Sequence, residues 1–229
     1  MAYQKYVTLS YDDGPKFDRR FVEMLNFYGI RCTFNLISGS MPEDDPDSWY
    51  ISRSEAASLY KGHEIAAHSR THPHLENLPE EAIRQEILIN REELERIAGY
   101  PVRGCAYPYG TWNDTVVKVL RECGIRYSRT TRSTKAFLPP EKPLLLDPTC
   151  HHRDPDVFRL IDEFLAAEPS DGDLLFYLWG HSFEFDRGEE HNSWEHIEAV
   201  LRALSGKPGV RYVTNMDFFD RGSVSGLPD

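Results

Sequence analysis

The sequence has few cysteines, no long apolar run and fewer basic than acidic residues. Its four cysteines stand far apart and form no C-x-x-C pair, which argues against a zinc knuckle and against a redox dithiol. We expect them to be reduced and mostly buried thiols. The longest strongly apolar stretch, residues 174–179, is far shorter than the roughly 20 residues that cross a bilayer. The sequence therefore predicts no membrane span.

The deficit of basic residues also bears on partners. There are 26 Lys and Arg against 37 Asp and Glu, which gives a net charge of −11 with neutral histidines. Such a surface repels phosphate backbones, so nucleic acid is not expected as a partner. The N-terminal segment lacks the apolar core and the small-residue cleavage site of a secretory signal. We expect a cytoplasmic location, unless a leader has been removed.

Short β-rich runs alternate with amphipathic helical patterns along almost all of the 229 residues. No repeat, low-complexity tract or linker interrupts them, so residues 1–229 are predicted to form a single domain. The seven or eight βα units favour a parallel sheet covered by helices, either closed as a barrel or open and doubly wound. The predicted strands span residues 6–10, 32–37, 64–68, 103–107, 125–128, 144–147, 174–179 and 210–214.

Polar clusters follow four of these strands. They are residues 11–15, 68–72 and 107–110, together with His181. In a parallel sheet the carboxyl ends of all strands meet at one rim, where barrel enzymes carry their reactive groups. We therefore expect these four clusters to converge.

Two histidines and a carboxylate among these clusters suggest a metal site. His68 and His72 are four residues apart, which would place both imidazoles on one helical turn. Alone, such a pair is more often solvated, and D-D-G-P alone is equally well a turn. Together with Asp13, however, the histidines make a ligand set typical of catalytic zinc. Asp12 would then deprotonate water, and His181 would protonate a leaving group.

The same ligand set describes the ferrous oxygenase triad, which is a different class of enzyme. The βα alternation and the ready supply of an acid and a base argue against that interpretation. Hydrolysis is the favoured reaction, because a divalent cation at these ligands would polarise a carbonyl and lower the pKa of bound water.

The motifs themselves resemble a known family. SYDDG at 10–14, HSRTH at 68–72, PYG at 108–110 and the run LFYLWGH ending at His181 are similar to the polysaccharide deacetylases of carbohydrate esterase family four, the NodB homology domain. The likeness extends from about residue 6 to residue 214. It implies a distorted (β/α)7–8 barrel.

By this resemblance, Asp12 is the catalytic base and His181 the general acid, while the backbone N–H of Tyr109 stabilises the oxyanion. The residues that hold one divalent metal ion are Asp13, His68 and His72. Zinc is the expected ion, with cobalt, nickel and manganese as alternatives. The implied reaction removes acetyl groups from an N-acetylated, or O-acetylated, carbohydrate. A C–N amidohydrolase acting on a small non-sugar amide and a non-catalytic carbohydrate-binding relative are the alternatives.

The sequence departs from the family pattern at two places. The arginine that usually pairs with the catalytic aspartate is replaced by Ala106, and Arg70, Arg129 or Arg132 could take its role. If none does, the pKa of Asp12 should lie higher than in relatives that keep the pair. The family's histidine-orienting aspartate is also not evident, and Asp147 is the best candidate from its place at a predicted strand end.

Aromatic and polar residues near the expected rim are candidates for contacting substrate. For any single aromatic residue, packing within the barrel is the safer interpretation. His151 and His152 follow a predicted strand, and we expect them to lie in a solvated loop. Glu184 and Asp186 could form hydrogen bonds with sugar hydroxyls. The candidate substrate contacts are Tyr107, Pro108, Trp112, Trp179 and Asp147.

Overall fold

The computed structural model describes residues 3–139, 141–170 and 172–220. Strands and helices alternate along these ranges, as the sequence pattern predicts. The strands are buried on both faces for most of their length, which is typical of parallel sheets covered by helices. They are β1 (Lys5–Asp13), β2 (Cys32–Leu36), β3 (Glu64–Ala67), β4 (Gly104–Ala106), β5 (Tyr127–Arg129), β6 (Cys150–His151), β7 (Leu174–Gly180) and β8 (Val210–Tyr212).

Every pairing between these strands is parallel. The order across the sheet is β5-β4-β3-β2-β1-β7-β6, so β1 is central. One edge of β1 pairs with β7, and the other is shared between β8 near its start and β2 near its end. Because all strands run the same way, their carboxyl ends lie at one rim.

Residues 143–151 connect the two ends of the sheet. Leu146 forms an isolated parallel bridge with Arg129 of β5, and its carbonyl accepts a hydrogen bond from Thr130 N at 2.8 Å. A few residues later, β6 pairs with β7 at the opposite end. The chain thereby closes the sheet into the distorted β/α barrel that the resemblance implies. The strand predicted over 144–147 is wrong: that stretch makes a single bridge, and the paired strand lies at Cys150–His151.

Helices cover the outside of the sheet and end where local signals predict. Gly99 closes α3 with a left-handed φ of 74° and donates its N–H to Glu95 O at 2.9 Å. Asn113 caps α4 by accepting from Val116 N at 2.9 Å. The helices are α1 (Asp18–Tyr28), α2 (Arg53–Leu59), α3 (Glu80–Ala98), α4 (Asp114–Glu122), α5 (Val157–Ala166), α6 (Trp194–Leu204) and α7 (Asn215–Asp220). The sequence interpretation missed the short α7.

The inner face of the barrel changes character along its strands. Side chains two residues apart on a strand share a face. Tyr6 therefore lies on the same face as Asp12 of β1, and Tyr127 on the same face as Arg129 of β5. Tyr6 and Tyr127 belong to a small buried apolar cluster with Phe218 of α7. Near the strand starts the inner face thus combines these aromatic rings with buried polar side chains such as Glu64, to which Tyr127 OH donates at 2.7 Å, and at the rim it carries the polar residues described below. In the described part of the chain, no helix combines the length and apolarity needed to span a bilayer.

Candidate active site

The carboxyl ends of seven strands deliver polar residues to one rim. Asp12 and Asp13 end β1, and His68 follows β3 directly. The remaining contributions come from the ends of neighbouring strands: Asn35 in β2, Ala106 and the 107–110 turn at β4, Arg129 in β5, His151 in β6 and His181 after β7. The convergence expected from a parallel sheet is therefore what the structure has.

Asp13, His68 and His72 form a compact group of potential metal ligands. Asp13 Oδ1 lies 3.5 Å from His68 Nε2 and 3.8 Å from His72 Nε2, and the two imidazole nitrogens are 3.2 Å apart. The spacing of the two histidines suggests a helical turn, and this prediction is wrong. They lie in an irregular bend after β3, in which Ser69 Oγ accepts a hydrogen bond from His72 N at 3.0 Å.

Three of the candidate residues have a left-handed backbone conformation. The φ angle is 78° at Asp13, 58° at His72 and 58° at Tyr109, a region that residues other than glycine rarely adopt. Each such residue costs of order 1–3 kcal/mol, and such conformations concentrate at functional sites. Their coincidence at one rim is what a candidate functional site would show.

A carbonyl behind His68 fixes the orientation of its ring. His68 Nδ1 lies 2.8 Å from the carbonyl oxygen of Ala106, to which an Nδ1–H donates. The lone pair of Nε2 then faces the Asp13 cluster, as metal-ligating histidines require. Burial holds the pKa of His68 down to about 4, so the imidazole is neutral near pH 7.

The donor set fits a divalent cation. Asp13 Oδ1 is buried and has no hydrogen-bond partner among the described residues. Burial raises the pKa of Asp13 to about 6 although the charges of His181 and Arg129 act in the opposite direction, so its negative charge is only partly compensated within the protein. A cation held between this oxygen and two imidazole nitrogens would supply the rest of that compensation.

Asp12 lies beside the cluster but is held by other groups. Its side chain is 3% exposed, and the guanidinium of Arg129 donates to Oδ2. Asn35, its register partner on β2, donates Nδ2–H to Oδ1 at 2.8 Å. Burial alone would raise the pKa of Asp12, but the charges of Arg129, His68 and His181 bring it down to about 2. Asp12 is therefore a carboxylate at neutral pH.

Arg129 takes the place left by Ala106. The two residues are register partners on β4 and β5, so the guanidinium reaches Asp12 from one strand further along the sheet. Its Cζ lies 4.5 Å from the ring centroid of Trp179, and its Nε donates to Ser10 Oγ at 3.1 Å. Of the three arginines left open by the sequence, the structure identifies Arg129 as the partner.

His181 faces Asp12 across the rim. Its Nε2 lies 3.9 Å from Asp12 Oδ2, and its Nδ1 lies 3.7 Å from Glu184 Oε2. Burial disfavours a charged imidazole, but Glu184 and Asp12 together hold the pKa of His181 above its usual value. The carboxylate that faces Nδ1 is thus Glu184.

Asp147, the residue suggested for orienting His181, is engaged elsewhere. It accepts hydrogen bonds from Thr130 and from Arg132, whose Nε lies 2.8 Å away. This part of the prediction is corrected by the structure. A substrate contact by Asp147 stays a prediction.

His151 and His152 are also corrected, because neither lies in a solvated loop. His151 is part of β6, with Nε2 3.2 Å from Glu184 Oε2. His152 is fully buried, and its Nε2 lies 2.9 Å from Asn192 Oδ1.

The aromatic candidates divide by exposure. Tyr107 is 1% exposed and donates its hydroxyl to Leu144 O at 2.7 Å, so it packs beneath the rim and is not a sugar platform. Pro108 and Trp179 are likewise buried. Trp112 and Tyr109 are exposed, and the Tyr109 ring stacks on His74 with centroids 3.9 Å apart. Trp112 stays a predicted substrate contact.

Asn35 has a role at the site that the sequence interpretation missed. No spacing or motif singles it out, since it contacts Asp12 only through the register of β1 with β2. An amide side chain inside the buried run CTFNL was the available signal, because buried polar groups need partners.

Comparison with known proteins adds a family to this geometry. Residues 2–128, more than half of the chain, match the family model described as polysaccharide deacetylase. The chain is 32% identical over 106 residues to a peptidoglycan-N-acetylglucosamine deacetylase of Bacillus cereus, covering 45% of this chain and 36% of that protein. It is 31% identical over 122 residues to a chitooligosaccharide deacetylase of Sinorhizobium fredii, covering 52% of this chain and 54% of that protein. The match thus spans about half of these relatives' length or less.

The fold as a whole is also similar to solved structures. The Xyl-CE4 domain of a multidomain xylanase from the hindgut metagenome of Trinervitermes trinervoides superposes with a TM-score of 0.64. The superposition covers 97% of this chain and 93% of that one, at 19% sequence identity. At this identity the likeness shows the barrel architecture.

Proposed function

Because the chain belongs to the polysaccharide deacetylase family, we propose that it is a metal-dependent hydrolase that removes acetyl groups from N-acetylated carbohydrate. The names of the matched relatives, which include deacetylases of peptidoglycan and of chitooligosaccharides, support an acetamido sugar as substrate. O-acetyl esters would use the same groups with an easier leaving group. We propose zinc as the ion, since two imidazoles and a carboxylate suit it.

One observation carries the proposal. A carboxylate kept ionised by a buried arginine lies between a three-residue ligand cluster and a histidine. Asp12 Oδ2 is 3.9 Å from His68 Nε2 and 3.9 Å from His181 Nε2. A base, an acid and a ligand set within such distances are what amide hydrolysis requires.

The cation supplies polarisation of the acyl carbonyl and a lowered pKa of water. The chain's own residues then move protons. Asp12, ionised and fixed by Arg129 and Asn35, accepts a proton from the attacking water. The rigid hold on both carboxylate oxygens keeps the base in one orientation, so little reorganisation accompanies the transfer.

The leaving amine takes its proton from His181. Glu184 and Asp12 raise the pKa of this imidazole, which favours its protonated form, and Glu184 faces the opposite ring nitrogen. The Tyr109 ring contacts the ring of His72 and its backbone is left-handed, which supports the proposed role of the Tyr109 N–H in stabilising the oxyanion.

Asp12→Asn tests the proposal. We expect the variant to retain the metal content of the wild type while losing about 10²–10⁴-fold or more in kcat/KM, because only the proton acceptor is removed. Metal content is measured by elemental analysis, and activity by acetate release from chitooligosaccharides, acetylxylan and small cyclic amides.

Asp162→Asn, an exposed change on α5, is the matched control and should keep full activity. Full activity of Asp12→Asn would remove Asp12 from the mechanism. A metal-loaded wild type that opens cyclic amides without releasing acetate from either saccharide would instead indicate an amidohydrolase.

A further inference from the structure

A second group of metal-ligating side chains lies at the rim, outside the Asp13 cluster. His151 ends β6, His152 follows it, and Glu184 lies in the 3-10 turn after β7. Gly180 makes this approach possible, since a Cβ at that position would lie 1.9 Å from His152 Nδ1. The fold therefore brings two imidazoles to one carboxylate across the β6–β7 pair.

The distances within this second cluster suit a tetrahedral ion. Glu184 Oε2 lies 3.2 Å from His151 Nε2 and 3.5 Å from His152 Nε2. Ligand atoms about 2.0–2.2 Å from a tetrahedral zinc ion lie about 3.3–3.6 Å from one another. The corresponding distances in the Asp13 cluster, 3.2–3.8 Å, are similar.

Several buried polar atoms around the second cluster lack hydrogen-bond partners among the described residues. They are His152 Nδ1, His181 Nδ1, Asn192 Nδ2 and Glu184 Oε2, the last of which has only ion-pair contacts with the imidazoles of His151, His152 and His181. His152 and Asn192 are 0% and 1% exposed, and Glu184 is 7% exposed, so water does not freely satisfy them. Leaving such groups unpaired costs about 1–3 kcal/mol each, and more for a charged one. The atoms point to a missing occupant.

Charge favours a cation as that occupant. Burial lowers the pKa of both His151 and His152, so their rings are neutral and offer lone pairs. Glu184 supplies the negative charge: Arg187 lies 3.6 Å from its Oε1, while its Oε2 faces the two imidazoles of the cluster and also His181 Nδ1, 3.7 Å away. His152 Nε2 donates to Asn192 Oδ1 at 2.9 Å in the metal-free chain, so binding an ion through Nε2 requires the ring proton to move to Nδ1.

We propose that His151, His152 and Glu184 form a second divalent-cation site, separate from the Asp13–His68–His72 cluster. Two nitrogens and a carboxylate favour zinc, cobalt or nickel over magnesium or calcium. The ion would tie the end of β6 to the turn after β7, and thereby hold the segment that carries His181. The proposal does not rest on deacetylation, because metal binding is measured without substrate.

The test counts ions bound to the full chain after metal-free protein is titrated with ZnCl₂ and CoCl₂. We expect two ions per wild-type chain and one ion in the double variant Asp13→Ala/His68→Ala. Adding His151→Gln or Glu184→Gln to that double variant should leave none. The double variant should also show the visible absorption of bound cobalt and a rise in Tm with zinc, both lost on adding His151→Gln.

His191→Gln, at an exposed histidine outside both clusters, is the matched control and should leave the count unchanged. The absence of a bound ion in the double variant Asp13→Ala/His68→Ala would overturn the proposal. So would a second ion that survives His151→Gln or disappears with His191→Gln. If Glu184→Gln fails to fold, His151→Gln decides the outcome.

Discussion

Arg129 and Asp12 form an ion pair in which both side chains are almost fully buried, with 1% and 3% exposure. Removing one partner of such a pair is expensive, about 3–5 kcal/mol, since the other charge stays buried without compensation. The pair also sets the proton affinity of the proposed base. Its two roles can be separated by measuring stability and pH dependence on the same variants.

In Arg129→Ala we expect the pKa of Asp12 to rise from about 2 to at least the ordinary carboxyl value of about 4. The acid limb of the kcat/KM profile should therefore move up by about two pH units, and Arg129→Lys should move it less. Arg132→Ala is the control, because Arg132 is exposed and pairs with Asp147. An acid limb that stays in place in Arg129→Ala would show that Arg129 does not set this pKa.

The residues that the sequence identified are those whose spacing is local. Asp12 and Asp13 are adjacent, and His68 and His72 are four apart, so short motifs expose them. Arg129 and Asn35 lie 117 and 23 residues from Asp12 and meet it only through sheet register. A single sequence provides several candidate arginines for pairing with Asp12, but strand order and register determine which of them reaches it.

At the level of elements, the ends of β6 and β7 depend on a close contact. Gly180 ends β7, and the imidazole of His152 occupies the space that a side chain at position 180 would need. Gly180→Ala should lower the free energy of unfolding by about 1–3 kcal/mol, because the added methyl group overpacks the site. Urea denaturation measures the change.

Gly172→Ala is the matched control for this substitution. A Cβ there meets no atom within 4 Å, so we expect a change within about 0.5 kcal/mol. If Gly180→Ala is as stable as Gly172→Ala, the contact with His152 does not constrain the end of β7.

The elements also show why barrel closure was not predictable in detail. β1 and β7 are nine and seven residues long, and their apolar runs stand out in the sequence. β6 has only two residues, which are too few to show the alternation of apolar and polar residues that marks a strand. Its pairing depends instead on the path of the segment 143–151. Apolar residues at 144–146 gave a strand signal several residues too early.

At the scale of the whole molecule, Asp18 links three parts of the chain. It begins α1, accepts a hydrogen bond from Ser182 Oγ at 2.5 Å, and accepts another from Tyr60 OH at 2.7 Å. Burial raises its pKa from 3.8 to about 7, despite both hydrogen bonds. This carboxyl therefore couples global stability to pH in the opposite sense to Asp12.

Below pH 3.8 the Asp18 carboxyl is protonated in both the folded and the unfolded chain. Between pH 3.8 and about 7 the unfolded chain releases this proton while the folded chain keeps it, so the contribution to stability falls as pH rises. The fall approaches about 1.4 kcal/mol per pH unit within that window and levels off above it. Asp18→Asn lacks this titration.

The free energy of unfolding of Asp18→Asn, relative to the wild type, should therefore increase from pH 5 to pH 7 and stay constant from pH 7.5 to 8.5. Urea titrations at each pH measure it. Asp162→Asn, exposed on α5, should give a difference independent of pH. An equal difference at pH 5 and pH 8 for Asp18→Asn would mean that Asp18 is ionised throughout, and that its two hydroxyl donors suffice to hold a buried charge.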